Sequence, residues 1–250
     1  MWFKAWRESR GRFFAIALTL SALCASAVLL ESYIRQDQML ISLRTREGSF
    51  TEYIYNLIYA GSAKGVYALL VMFLGLGGLQ RERAHHTAGF TLALPVSRLR
   101  VIGTQIVVGT IQLAVLALIP AILIPSLSVL THHSYPLPVA LHFSALWFFG
   151  GLIIFAASFL LSVLTPGEYT APVICYLALV LDTFVGAWHP LAVYRLNLMW
   201  IMGEFKTMRW NAEHSLLQPP PLSWPRISVM VFLAALLLSA AIRVTDEQDF

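Results

Sequence analysis

Apolar residues along this chain are gathered into long blocks separated by short polar stretches. The blocks run for roughly 17 to 25 residues, the length a helix needs to cross about 30 Å of hydrocarbon. They predict spans at about 13–30, 57–79, 101–124, 140–164, 170–188 and 224–244. The expected fold is an all-α integral membrane protein with about six transmembrane helices, forming a single polytopic domain over residues 1–250.

The polar stretches supply the boundaries. In residues 2–12, Trp2, Trp6 and Phe13 fall on one side of a helical wheel and Lys4, Arg7, Glu8, Arg10 and Arg12 on the rest, the pattern of an N-terminal interfacial helix. The chain is therefore expected to enter the membrane sideways before the first span. A cleaved signal peptide is the rival reading, since Ala25, Ser26 and Ala27 follow a basic start and an apolar run, but that run continues to Leu30. Tyr53, Tyr55 and Tyr59 mark an aromatic belt before the second span, and Pro120 and Pro125 are expected beside the end of the third. Thr165, Pro166, Gly167 and Glu168 form a tight-turn signal, and Ser223, Trp224 and Pro225 open the last span. The outer segment, 189–223, is too polar to cross and rich in Trp, Arg and Pro, so it is expected to form short helices on the membrane surface. An even number of spans puts both termini on one side, and the cationic start favours the cytoplasm.

Composition agrees with this reading. Hydrophobic residues make up 58% of the chain and charged residues 12%, against about 25% charged in a soluble domain, and mean hydropathy is +0.71. The net charge of +4 and pI near 9.2 come from basic residues lying between apolar blocks, where they act as topology signals and give no reason to expect nucleic acid. Cys24 and Cys175 lie inside apolar blocks without metal spacing. Adjacent histidines, as in His85-His86 and His132-His133, point about 100° apart on a helix, and nothing beside them completes a metal site. Neither a recognisable catalytic set nor a G-x-x-x-x-G-K-[ST] phosphate loop occurs, so no cofactor is expected on this chain and any ATP-driven work needs a partner.

One segment says what that partner is. Arg81, Glu82 and Arg83 form a charged exit from the second span, and a short amphipathic stretch with Thr87 then leads to Leu92, Leu94, Pro95, Ser97 and Arg98 before the third. This arrangement lays a small helix across the cytoplasmic face, with Pro95 ending or redirecting it and Arg98 at the headgroups. The segment closely resembles the cytoplasmic loop of ABC-2 type permeases, in which a Glu, a following Thr and a terminal L-x-L-P-x-S-R recur; His86 stands where the family often has Gly. The resemblance implies that 81–98 is a coupling helix that docks on an ABC ATPase subunit, with Arg81 and Glu82 in the contact and Thr87, Leu94, Pro95 and Arg98 completing the motif. It further implies a bacterial inner membrane, outward transport, ATP and Mg on the ATPase, and a pathway shared with a second permease copy or homologue. A non-catalytic anchoring or assembly protein and an intramembrane enzyme are the other function classes.

Two ionisable residues, Lys64 and Asp182, lie within apolar blocks, where such groups are costly and mark functional candidates. Helical rise puts each about 10 Å below the outer surface. Matching depths suit an ion pair or a place on the outer substrate path. The alternative has Lys64 snorkelling to the interface and Asp182 facing water or capping a helix break.

Overall fold

The computed structural model describes residues 2–31, 50–76, 98–165, 170–188, 197–203, 209–211, 216–218 and 222–247. Its architecture is helical, in chain order α1 (Trp2–Leu29), α2 (Phe50–Ile54), a π-helical turn (Tyr55–Tyr59), α3 (Ser62–Leu74), α4 (Arg98–Ser128) and α5 (Leu137–Leu164). There follow α6 (Thr170–Ala187), α7 (Leu198–Gly203), a two-stranded antiparallel ribbon of β1 (Arg209–Asn211) and β2 (Leu216–Gln218), and α8 (Trp224–Glu247). Five segments are long and apolar enough to cross a membrane: Ser9–Leu29, Phe50–Leu74, Leu99–Thr131, Leu137–Leu164 and Trp224–Asp246. The chain is a multi-pass helical membrane protein. A sixth apolar helix, Thr170–Gly186, is shorter.

Helix α5 is the axis of the bundle, packing against α3, α4, α6, α7 and α8, while α1 packs on α3 and α4. Its inward face carries Phe143, Trp147, Phe155 and Phe159, all buried. Trp147 stacks on Tyr67 of α3 at 4.6 Å and meets Tyr59 edge-on at 5.6 Å, and Tyr59 stacks on Phe143 at 4.8 Å. Where lipid tails are as apolar as leucine, helices associate through close packing and interhelical hydrogen bonds, and the contacts here are of that kind. Tyr67 Oη donates to the Trp147 carbonyl (3.1 Å), Ser158 Oγ to the Met72 carbonyl (2.7 Å), and Gln112 Nε2 to Ser9 Oγ (2.7 Å). The large apolar side chains left outside, such as Phe184, Val229 and Phe232, are exposed, as a lipid-covered surface requires.

Four expectations from the sequence need correction. The interfacial stretch 2–12 and the first span are one unbroken helix, Trp2–Leu29. Its 28 residues reach about 42 Å at 1.5 Å per residue, longer than the hydrocarbon, and the one glycine in the stretch, Gly11, costs a helix only about 1 kcal/mol. The second span begins at Phe50, ahead of the predicted 57, because the tyrosine-rich stretch is itself helical, with a π-turn closed by Ala60 N–H on the Tyr55 carbonyl at 2.8 Å. Gly61 follows that turn, where a Cβ would stand 2.8 Å from the Leu57 carbonyl oxygen. Pro120 and Pro125 lie inside α4, since in membrane helices neighbouring helices, Ser and Thr side chains and local adjustments re-satisfy the backbone groups that proline frees. The helix stops later, after a 3₁₀ turn Val129–Thr131, at left-handed His132 (φ 58°), with His133 N–H closing on the Ser128 carbonyl at 3.0 Å. Finally, the described part of the outer segment holds a single short helix, α7, with Met202 and Gly203 buried against the bundle, and the ribbon.

Candidate functional site

The predicted coupling segment lies between α3 and α4, and Arg81, Glu82, Thr87, Leu94 and Pro95 fall outside the described residues. What is described is how the chain leaves and returns. Helix α3 ends at Leu74 with Gly75 as its cap, and Arg12 of α1 reaches across to it: Nη1 donates to the Phe73 carbonyl at 3.3 Å and to the Leu76 carbonyl. The last carbonyls of a helix lack partners within it and carry partial negative charge, so a guanidinium there satisfies them and favours the dipole. Arg98 supplies the first residue of α4. The exit of the second span is thereby fastened to α1 directly before the segment begins. Reading Arg12 as a topology charge missed this, because its partners are backbone carbonyls some sixty residues away and have no signature in sequence.

Lys64 and Asp182 converge on one element, α7. Lys64, in the first turn of α3, is buried at 7% exposure, and its Nζ donates to the Met199 carbonyl at 2.8 Å. Asp182, near the end of α6, accepts the Leu198 N–H on Oδ2 at 2.9 Å. Ammonium and carboxylate thus meet the backbone of consecutive residues, and among the described contacts they do not meet each other. Lys64 does not snorkel outward. Asp182 caps a helix start, one of the roles its sequence position allowed, and α7's exposed donor supplies the reason: the first N–H groups of a helix have no partner within it.

Three residues to which sequence reasoning gave no part in a site complete the arrangement. Asn197 accepts the Trp200 N–H on Oδ1 (3.0 Å) while its Nδ2 donates to the Asp182 carbonyl (2.9 Å), so it caps α7 and ties it to α6. Tyr55, in the π-turn, donates from Oη to the Gly203 carbonyl at 2.8 Å. Tyr55 at the start of the irregular stretch 55–61 and Lys64 just beyond it therefore both hold α7. Gly203 suits this closeness, since a Cβ would lie 2.7 Å from Lys64 Nζ and 3.0 Å from the Tyr59 carbonyl oxygen and would push on the anchor. The signal available in sequence was only the polar Asn197 among apolar neighbours.

A cavity of about 570 Å³ opens beside this anchor, between α5, α6, α7 and α8. Asp182 and Arg226 are the charged residues of its lining, and the rest is almost wholly apolar. Of the two histidine pairs in the sequence, His85-His86 lies outside the described residues; at His132-His133, His133 stacks on Phe50 (4.5 Å, 16° between planes), with Nδ1 3.9 Å from a Glu31 carboxylate oxygen. That contact fastens the ends of α1 and α2 to the α4–α5 connection, and Tyr135 packs edge-on against the same Phe50. Burial pushes the Tyr135 phenol well above its ordinary pKa, so it stays neutral there. Among the described residues, no cluster of His, Cys, Asp and Glu has the makings of a metal site. Both cysteines are buried thiols.

Comparison with known protein families, with curated proteins and with solved structures found no match.

Proposed function

We propose that this chain is the transmembrane permease subunit of an ABC-type exporter, of the ABC-2 kind. It lies in the bacterial inner membrane with both termini in the cytoplasm, and α6 makes the sixth crossing. A separate ATPase subunit hydrolyses ATP with Mg, and a second permease copy or homologue completes the outward path. The observation that carries this reading is the run from Arg81 through Glu82 and Thr87 to Leu94, Pro95 and Arg98, joining two helices long and apolar enough to cross a membrane. A carboxylate set at a membrane exit suits docking, because it can pair with a cation on a partner's surface.

The geometry supports a route for the coupled motion. The segment follows directly on α3, whose end is held by Arg12 and whose start carries Lys64 on α7. Displacement of a docked ATPase would pull on α3, and α3 pulls on α7 and, through Asn197 and Asp182, on α6. The irregular stretch 55–61 separates α3 from α2 along this route, and π-turns inside helices are frequent at functional sites.

The test is to express the chain with its genomic neighbours and purify it through a tag in mild detergent. An ATPase bearing a phosphate-loop motif should co-purify and be lost in Glu82→Ala. Wild-type coupling in Glu82→Ala would refute the role given to that residue. A folded preparation with no ATPase partner would overturn the exporter reading in favour of an anchoring protein.

A further inference from the structure

We propose that the cavity between α5, α6, α7 and α8 binds a zwitterionic amphiphile, with its ammonium at Asp182, its phosphate at Arg226 and an alkyl chain along the apolar wall. This goes beyond the exporter reading and does not depend on an ATPase.

The lining has a direction. From α6 come Asp182, Leu179, Ala178 and Cys175, and from α8 Arg226, Val229, Met230 and Leu233. Each set is spaced as one helical stripe, and each runs for about 10 Å away from its charged residue at 1.5 Å per residue. Helix α6 finishes near Asp182, whereas α8 begins near Arg226. In the proposed topology α6 and α8 are consecutive crossings that run opposite ways, so those termini share one end and give the cavity a charged mouth and an apolar floor. Exposed Trp188 and Trp224 flank the two charges in sequence, as interfacial aromatics do at headgroup level. The volume, about 570 Å³, lies within the range of small-molecule sites, roughly 300–1,000 Å³.

The two charges select the head. Asp182 uses Oδ2 on the Leu198 N–H, and its Oδ1 has no hydrogen-bond partner among the described residues. Arg226 is exposed at the rim. A ligand with one charge would meet one of these groups and leave or repel the other, which is costly beside hydrocarbon. A headgroup carrying both signs meets both, the charge complementarity that sets partner choice in other sites.

The experiment uses the full chain in detergent with phosphatidylethanolamine carrying a diazirine on its acyl chain. After illumination and proteolysis, label should concentrate in the peptides containing residues 175–182 and 226–233. Phosphatidylglycerol and a cationic lipid with the same photoactivatable chain should label these peptides more weakly. Asp182→Asn keeps an oxygen for the Leu198 N–H but removes the charge, and it should lower labelling by about ten- to a hundredfold, the worth of one charge-assisted hydrogen bond. Arg226→Gln should do the same. Ala178→Phe, which fills the wall, should abolish labelling while the protein still elutes as folded material. Labelling spread over the whole apolar surface without headgroup preference would overturn the proposal. So would cross-links between two copies across this face, which would make a second chain its occupant. Loss of ATPase partnership leaves these outcomes unchanged, so the two readings fail separately.

Discussion

Removing the two intramembrane charges separately and together distinguishes an anchored helix from an ion pair. In the structure, Lys64→Met removes the Nζ donor to the Met199 carbonyl, and Asp182→Leu removes the acceptor of the Leu198 N–H. Each loss is of one hydrogen bond to a charged group, worth about 1.5–3 kcal/mol. Because both bonds end on α7, loosening the helix once lowers what the second loss can do, and the two effects should sum to within about 1 kcal/mol. A direct buried ion pair behaves differently. Breaking either side would cost about 3–5 kcal/mol by stranding the other charge, and the double apolar variant would recover most of it. The assay is reversible unfolding in mixed micelles by titration with SDS, followed by the fluorescence of the seven tryptophans. Two destabilised single variants and a still less stable double variant are expected. A double variant as stable as wild type would refute the anchoring of α7 by separate bonds.

Other contacts give sharper local tests. Gly150→Leu should lower thermal stability in detergent by about 1–3 kcal/mol, as an overpacked site does, because the space of a Cβ there is already held by the Met202 side chain. Tyr67→Phe retains the stack on Trp147 and loses only the hydroxyl bond to its carbonyl, so SDS titration should report a loss of about 1 kcal/mol. Arg12→Met frees the carbonyls at the end of α3, and should cost about 1 kcal/mol in the same titration. If the proposed coupling is right, it should also weaken recovery of the ATPase, because the exit of the docking segment is no longer held to α1. Unchanged stability in Arg12→Met would remove the capping role.

The span pattern was legible because lipid imposes one length on every crossing helix, whatever the packing inside. Blocks around Val101, Ala140 and Trp224 therefore landed close to the observed helices. One error arose where a rule for water was applied in lipid. Pro120 and Pro125 ended a helix on paper, yet in a bilayer stopping early would leave backbone groups without water, and α4 continues. The candidate pair shows the other boundary of what a sequence carries. Lys64 and Asp182 stood out because a charge inside an apolar block is rare and costly. Their partners did not, because Met199 and Leu198 contribute backbone atoms, which every residue has. Depth can be counted along a helix at a fixed rise, and by that count the two charges fall at one level. Equal depth by that count suits an ion pair, because a sequence displays charges and hides main-chain donors and acceptors. A short helix starting at Asn197 can present a donor to a carboxylate and a carbonyl to an ammonium within two residues. The two charges thus share an element without having to touch each other.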